Sequence, residues 1–231
     1  MAGQVPGRSG VRTPQRSARD ERRRSFGQNF LVDRPLVDRI VASLDIHVGD
    51  LIVDIGAGRG ALTFACAAVG ARVIAIERDQ AVVRQLMHRA TTHRLAARID
   101  VVAADFLQWP MPQQPFRVIA NPPFGLTTPI LDRLLSDPET GPARCDLMLQ
   151  LDVARKRAHA PPDTLLSAAW SPWWTFELGP TIPRKAFRPI PRVDAALLTV
   201  RRRPVPVLPT WLARGFANTL RPVWDGGQRI R

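Results

Sequence analysis

Short, continuous apolar runs alternate along this chain with stretches whose apolar residues recur every three or four positions. Leu51-Ile52-Val53-Asp54-Ile55 stops at Gly56, and 72–77 (RVIAIE), 99–103, 116–120 (FRVIA) and 146–150 (DLMLQ) continue the series. Runs of this length without polar alternation predict strands buried on both faces. Between them, 61–69, 79–94 and 129–135 carry the helical period. A helix is also expected upstream, where Asp33 offers an N-cap, Pro35 suits the first turn, and Leu36, Ile40, Val41 and Leu44 recur at helical spacing. Two further strands are expected near 173–178 and 195–201. Strands alternating with helices predict a doubly wound α/β fold, its sheet covered on both faces.

The ends read differently. Residues 1–24 are rich in Gly, Pro, Ser, Gln and Arg and have little to bury, which predicts a disordered basic tail. Order is expected to begin at Phe26-Gly27-Gln28-Asn29-Phe30-Leu31, so the main domain is placed at 25–203. Beyond Arg203, Pro204, Pro206 and Pro209 interrupt the chain, and one amphipathic helix is expected at 211–220 within the segment 204–231. A length of 231 residues with 45% apolar content leaves room for one ordinary domain plus an appendage and excludes wholesale disorder.

Charge sharpens this division. The chain carries +13, with 31 Arg, two Lys and no Tyr. Residues 1–25 hold seven Arg against Asp20 and Glu21. Residues 184–203 hold six Arg and Lys185 against Asp194, and 204–231 hold four Arg against Asp225. The body, 26–183, has 15 bases and 16 acids. A GC-rich genome can explain Arg replacing Lys, but not why bases outnumber acids only at the ends. Basic ends suit a polyanionic partner. Cys66 and Cys145 are isolated in apolar runs, so neither a disulfide framework nor a zinc cluster is indicated. With no apolar stretch near the roughly 18 residues of a membrane span, and no apolar region behind the N-terminal bases, a cytoplasmic protein is expected.

Four motifs fall where ligands bind in such a sheet, at the carboxyl ends of strands. Asp54-Ile55-Gly56-Ala57-Gly58-Arg59-Gly60 follows the first strand, spaced G-x-G-x-G rather than the G-x-G-x-x-G of dinucleotide sites. Any tight turn between strand and helix can use such glycines. Glu77 ends the second strand, where a carboxylate can accept hydrogen bonds from both hydroxyls of a ribose, or can be a solvent-facing Glu at a helix start. Asp105-Phe106 follows the third strand. Its carboxylate can accept from an adenine amino group while Phe106 packs on the ring, or it can be a helix N-cap. Asn121-Pro122-Pro123-Phe124, after the fourth strand, is the sharpest signal. An Asn carbonyl and a backbone carbonyl can each accept an N6–H of adenine, two prolines stiffen the turn without offering a competing N–H, and an aromatic ring can stack on an extruded base. The plainer reading is a Pro-rich turn headed by Asn. Two further features stay double-sided: Trp170, Trp173 and Trp174 could stack bases but are favoured as core, and Arg155-Lys156-Arg157 fits a phosphate grip as well as a solvated helix face.

In order, GQNFL (27–31), DIGAGRG (54–60), Glu77, Asp105-Phe106, NPPF (121–124), QLDVARKR (150–157) and FRPIPRVDAALL (187–198) resemble the rRNA adenine-N6 methyltransferases, over roughly residues 22–203. That family has two main bacterial branches: the Erm enzymes, which modify 23S rRNA and confer macrolide–lincosamide–streptogramin B resistance, and KsgA, which modifies 16S rRNA. The Arg-rich segment before GQNFL, VARKR and the Trp-containing 170–176 look more like the actinobacterial Erm branch. The resemblance implies a Rossmann-like class I methyltransferase with a mixed, mostly parallel seven-stranded sheet, using S-adenosylmethionine (SAM). It places Gln28, Asn29 and Leu31 in the SAM pocket, Gly56 and Gly58 at the methionine end, Glu77 at the ribose, and Asp105 with Phe106 at the cofactor adenine. Asn121, Pro122 and Phe124 would form the target-base site, with Asn121 also bordering the cofactor. It further implies a 23S rRNA partner, direct methyl transfer with no metal, and a monomer. The segment 204–231 would be a short remnant of the family's helical C-terminal RNA-binding domain. Pro122 stands where many relatives carry Ile or Leu, as in DNA adenine-N6 enzymes. Rival readings are a 16S dimethyltransferase, a non-enzymatic nucleic-acid-binding factor on the same fold, and a nicotinamide oxidoreductase, the last disfavoured by the glycine spacing.

Overall fold

A computed structural model describes residues 29–225. The tail expected at 1–24 and Gln28 lie outside the described residues. The elements run β1 (Phe30–Leu31), α1 (Arg34–Ala42), β2 (Leu51–Ile55), α2 (Ala61–Ala68), β3 (Arg72–Glu77), α3 (Gln80–Thr92), β4 (Ile99–Ala103), β5 (Arg117–Ala120), α4 (Thr127–Leu135), β6 (Arg144–Gln150), α5 (Leu151–Ala158), α6 (Leu165–Trp170), β7 (Trp174–Ile182), β8 (Phe187–Arg188), β9 (Ala195–Arg202) and α7 (Phe216–Asp225).

Seven strands form one sheet in the order β4-β3-β2-β5-β6-β9-β7. The first five pair in parallel, and β9 pairs antiparallel with both β6 and β7, so β9 alone runs against the rest. This is the mixed, mostly parallel Rossmann-like seven-stranded sheet that the resemblance implied. Chain order reverses between β2 and β5, which leaves a crevice above their carboxyl ends.

Strand periodicity explains the two cores. In β6, Cys145, Leu147 and Leu149 enter the cluster on one face, while Met148 enters the opposite one with Ile40, Val41 and Cys66. Trp173 and Trp174 are fully buried, as expected for core, and their indole N–H groups donate to Leu208 O (2.9 Å) and Leu135 O (3.0 Å). At the amino ends of β5 and β6, Arg144 Nε lies 2.7 Å from Asp146 Oδ2, and Arg117 bonds Asp50 at 3.0 Å. Thr199 donates its hydroxyl to Asp146 (2.8 Å), which ties β9 into the cluster.

Several expectations are corrected. The helix expected at 211–220 is instead a 3-10 turn (Thr210–Leu212), a break at Gly215 (φ +88°), and α7 from 216 onward, since the left-handed glycine cannot continue a helix. The strand expected at 173–178 runs on to Ile182, because a bulge between Leu178 and Thr181 absorbs Gly179 and Pro180. A small second sheet, unforeseen, pairs Phe30 with Arg188 and Leu31 with Phe187. Val32 N–H extends it by donating to Ala186 O at 2.9 Å. This clasp carries the residues before α1 across the crevice. The α1 cap is as expected, with Leu36 N–H donating to Asp33 at 3.1 Å.

Candidate active site

A cleft lies over the carboxyl ends of β2, β3, β4 and β5. It brings together Asn29, Leu31, Gly56, Gly58, Glu77, Asp105, Phe106 and Asn121. Pro122 is buried and Phe124 half-buried in the turn that follows, and neither lines the cleft wall, although Pro123 does.

The glycine loop needs its glycines for different reasons. Gly56, Gly58 and Gly60 all have positive φ (+69°, +56° and +81°). A Cβ on Gly60 would sit 2.7 Å from Leu86 and Phe64, and one on Gly58 would sit 3.0 Å from the Phe30 ring. At Gly56 the nearest atom would be Pro123 Cδ at 4.0 Å, so that Cβ would project across the cleft. Two of these positions are therefore fixed by packing, and the third guards open space.

Glu77 is 4% exposed. Its Oε2 accepts Gly58 N–H (3.0 Å), while Oε1 accepts the N–H groups of Arg78 (2.8 Å) and Asp79 (2.9 Å). A carboxylate has about four acceptor positions, so the side chain braces the glycine loop and keeps one acceptor for a ligand, where the sequence suggested room for two hydroxyls. Asp105 also has a structural duty: Oδ1 accepts Leu107 N–H at 3.0 Å, and Oδ2 faces the Arg78 guanidinium at 3.7 Å. Phe106 is buried, its ring 5.7 Å from the Arg133 guanidinium.

Asp54 escaped the residue-by-residue assignment and is the most perturbed group of the cleft. Burial pushes its carboxyl up to about 7, Thr63 donation opposes the shift, and the Glu77 charge adds to it. Oδ2 accepts the Thr63 hydroxyl at 2.6 Å, whereas Oδ1 is buried with no hydrogen-bond partner. The signal was a lone acid in an apolar strand just before the glycines.

At the end of β5, Asn121 Nδ2 donates to the carbonyl of Asn29 at 2.7 Å. One of the two amide hydrogens is committed to that carbonyl. The clasp thereby fixes the orientation of Asn121. Phe30, in the same clasp, lies under the Arg59 guanidinium at 5.2 Å and closes over Gly58.

The model of the family described as ribosomal RNA adenine dimethylase matches residues 19–218. The chain belongs to the ribosomal RNA adenine dimethylase family. Among its relatives, an rRNA adenine N-6-methyltransferase of Corynebacterium diphtheriae is 38% identical over 213 residues, covering 92% of this chain and 81% of that protein. The mycinamicin-resistance protein MyrB of Micromonospora griseorubida is 36% identical over 90% of this chain, which spans 64% of that protein. The crystal structure of the 23S rRNA methyltransferase ErmE superposes with a TM-score of 0.75 at 28% identity, covering 87% of this chain and 80% of ErmE. As a member of this family the chain is a methyltransferase, and its methyl donor is SAM.

The cleft fits that donor on two counts: a Cβ at Gly56 would enter it, and the orphaned Asp54 Oδ1 supplies an unused acceptor in its wall. Among the described residues, no group of three or more His, Cys, Asp or Glu could hold a metal ion. No helix among them is long and apolar enough to cross a membrane.

Proposed function

We propose that this chain methylates N6 of an adenine in 23S rRNA in the manner of the Erm enzymes, and so confers macrolide–lincosamide–streptogramin B resistance. The observation that carries the reading is Asn121 in the cleft wall, its amide NH₂ donating to Asn29 O, which leaves its oxygen as the acceptor it can offer. Adenine N6 is a poor nucleophile because its lone pair is delocalised into the ring. Asn121 Oδ1 accepts one N6–H and the Pro122 carbonyl the other, which favours a pyramidal nitrogen. Pro122 and Pro123 hold that carbonyl in place, and the Phe124 ring stacks on the extruded base. SAM supplies an electrophilic methyl on a sulfonium. The protonated N6 left after transfer is acidic enough to lose its proton to water, so the protein contributes positioning and electrostatics.

On the cofactor side, Gly56 and Gly58 border the methionine end, Asn29 and Leu31 the same wall, Glu77 a ribose hydroxyl, and Asp105 with Phe106 the adenine. The transfer machinery then lies within 25–203, with 204–231 an appendage that helps hold RNA. The protein works as a monomer in the cytoplasm. Expression in a macrolide-sensitive bacterium tests the reading. It should raise tolerance to a macrolide, a lincosamide and a streptogramin B together, and Asn121→Ala should abolish the effect. Full sensitivity with soluble, SAM-binding protein would refute it.

A further inference from the structure

The body of the chain sums to nearly zero charge, yet its charge is not evenly spread in space. Beside the cofactor cleft, α1, α2 and α3 border a second groove, which shares Leu31, Arg59 and Ala61 with the cleft. Arg34, Arg59, Arg89 and Arg94 line it, against Asp38 as its one acid. These cations come from two helices and two loops, so their convergence is a product of the fold and not a charged run along one helix face.

The groove is also organised. Arg89 donates to the Arg59 carbonyl and stacks its guanidinium on Phe64 at 4.7 Å, while His93 lies 4.9 Å from the same ring. Phe64 and its alanine neighbours on α2 give an apolar floor beneath a cationic rim. A chain of phosphates with apolar faces between them fits such a surface: guanidiniums pair with phosphate oxygens, and the floor takes a ribose or base face.

We propose that this groove is a docking channel for the ribose-phosphate backbone of the RNA substrate, holding the strand that flanks the extruded adenine. The proposal rests on the reading of the cleft as an RNA-methylating site. It differs from the sequence expectation in placing part of the RNA grip on the body, beside the basic ends.

The test uses the full chain and a stem–loop RNA with unpaired adenines, with affinity measured at several salt concentrations. Arg34→Gln/Arg89→Gln/Arg94→Gln should weaken binding and lower the slope of log K against log salt by about 2, at roughly 0.7 per single-strand contact. Arg34→Gln/Arg94→Gln, which touches neither the cofactor cleft nor the glycine loop, should leave SAM affinity unchanged. Asp38→Asn, an exposed site, should bind the same RNA more tightly. A triple variant with the wild-type slope, or Asp38→Asn with unchanged affinity, would overturn the proposal. Because the readout is binding, failure of the wild-type chain to methylate 23S rRNA would refute the reading of the cleft while the slopes still decide the groove.

Discussion

Gly56→Ala separates ligand space from folding at a single atom. Gly56 has φ +69°, and an alanine held there costs about 1–2 kcal/mol of backbone strain. Nothing else opposes it in the free protein, since the new Cβ would be 4.0 Å from Pro123 Cδ, ordinary contact distance. In a domain of this size that strain lowers Tm by roughly 2–8 °C. The same methyl projects into the cleft, where it removes space the methionine moiety needs, so SAM affinity should fall at least about tenfold, a loss of about 1.4 kcal/mol or more. Gly60→Ala makes the opposite pattern: its Cβ would lie 2.7 Å from Leu86 and Phe64, so folding suffers first. Thermal unfolding without cofactor and calorimetric titration with SAM read the two effects separately. Gly56→Ala binding SAM as wild type would remove the loop from the cofactor site.

Three further outcomes are expected. Asn121→Ala should keep SAM binding nearly intact but cut methyl transfer by about 10²-fold or more, as for loss of a positioned transition-state contact, and near wild-type single-turnover rates would exclude its role. Asp54 titrates near 7 folded against 3.8 unfolded, so between those values the folded chain holds a proton the unfolded chain has lost. Its contribution to stability therefore falls as pH rises through that window and levels off above it, by at most about 4 kcal/mol. Asp54→Asn should then be more stable than wild type at pH 8, with the advantage shrinking toward pH 4, and a pH-independent difference in urea midpoints would contradict this. Asp146→Ala strands the buried Arg144 and should cost roughly 3–5 kcal/mol in urea unfolding; a loss below about 1 kcal/mol would show that the cluster is not structural.

Much of the sheet was legible because β2, β3 and β5 are mainly apolar runs cut off by turn residues, the trace of a strand covered on both faces, although β4 at the sheet edge is half-exposed. The Asn-Pro-Pro turn could be read from residue chemistry alone. The clasp could not: a two-residue strand has no periodicity, and Phe30 meets Arg188 only through the tertiary fold. Nor does sequence spacing show where a carboxylate spends its acceptors. Glu77 looked free for a ribose, yet three backbone N–H groups brace against it. The groove between α1 and α3 was hidden for a third reason. Charge summed along 26–183 cancels, whereas folding gathers Arg34, Arg59, Arg89 and Arg94 on one surface and leaves most acids elsewhere.

The most direct measurement is transfer of tritiated methyl from SAM to deproteinised 23S rRNA, with intact 30S particles in parallel and the product mapped by primer extension. The account predicts label in 23S rRNA alone, at one adenine, as an N6-methylated nucleoside, with about 10²-fold less or lower still from Asn121→Ala. Label confined to 30S particles, or equal label from Asn121→Ala, would contradict it.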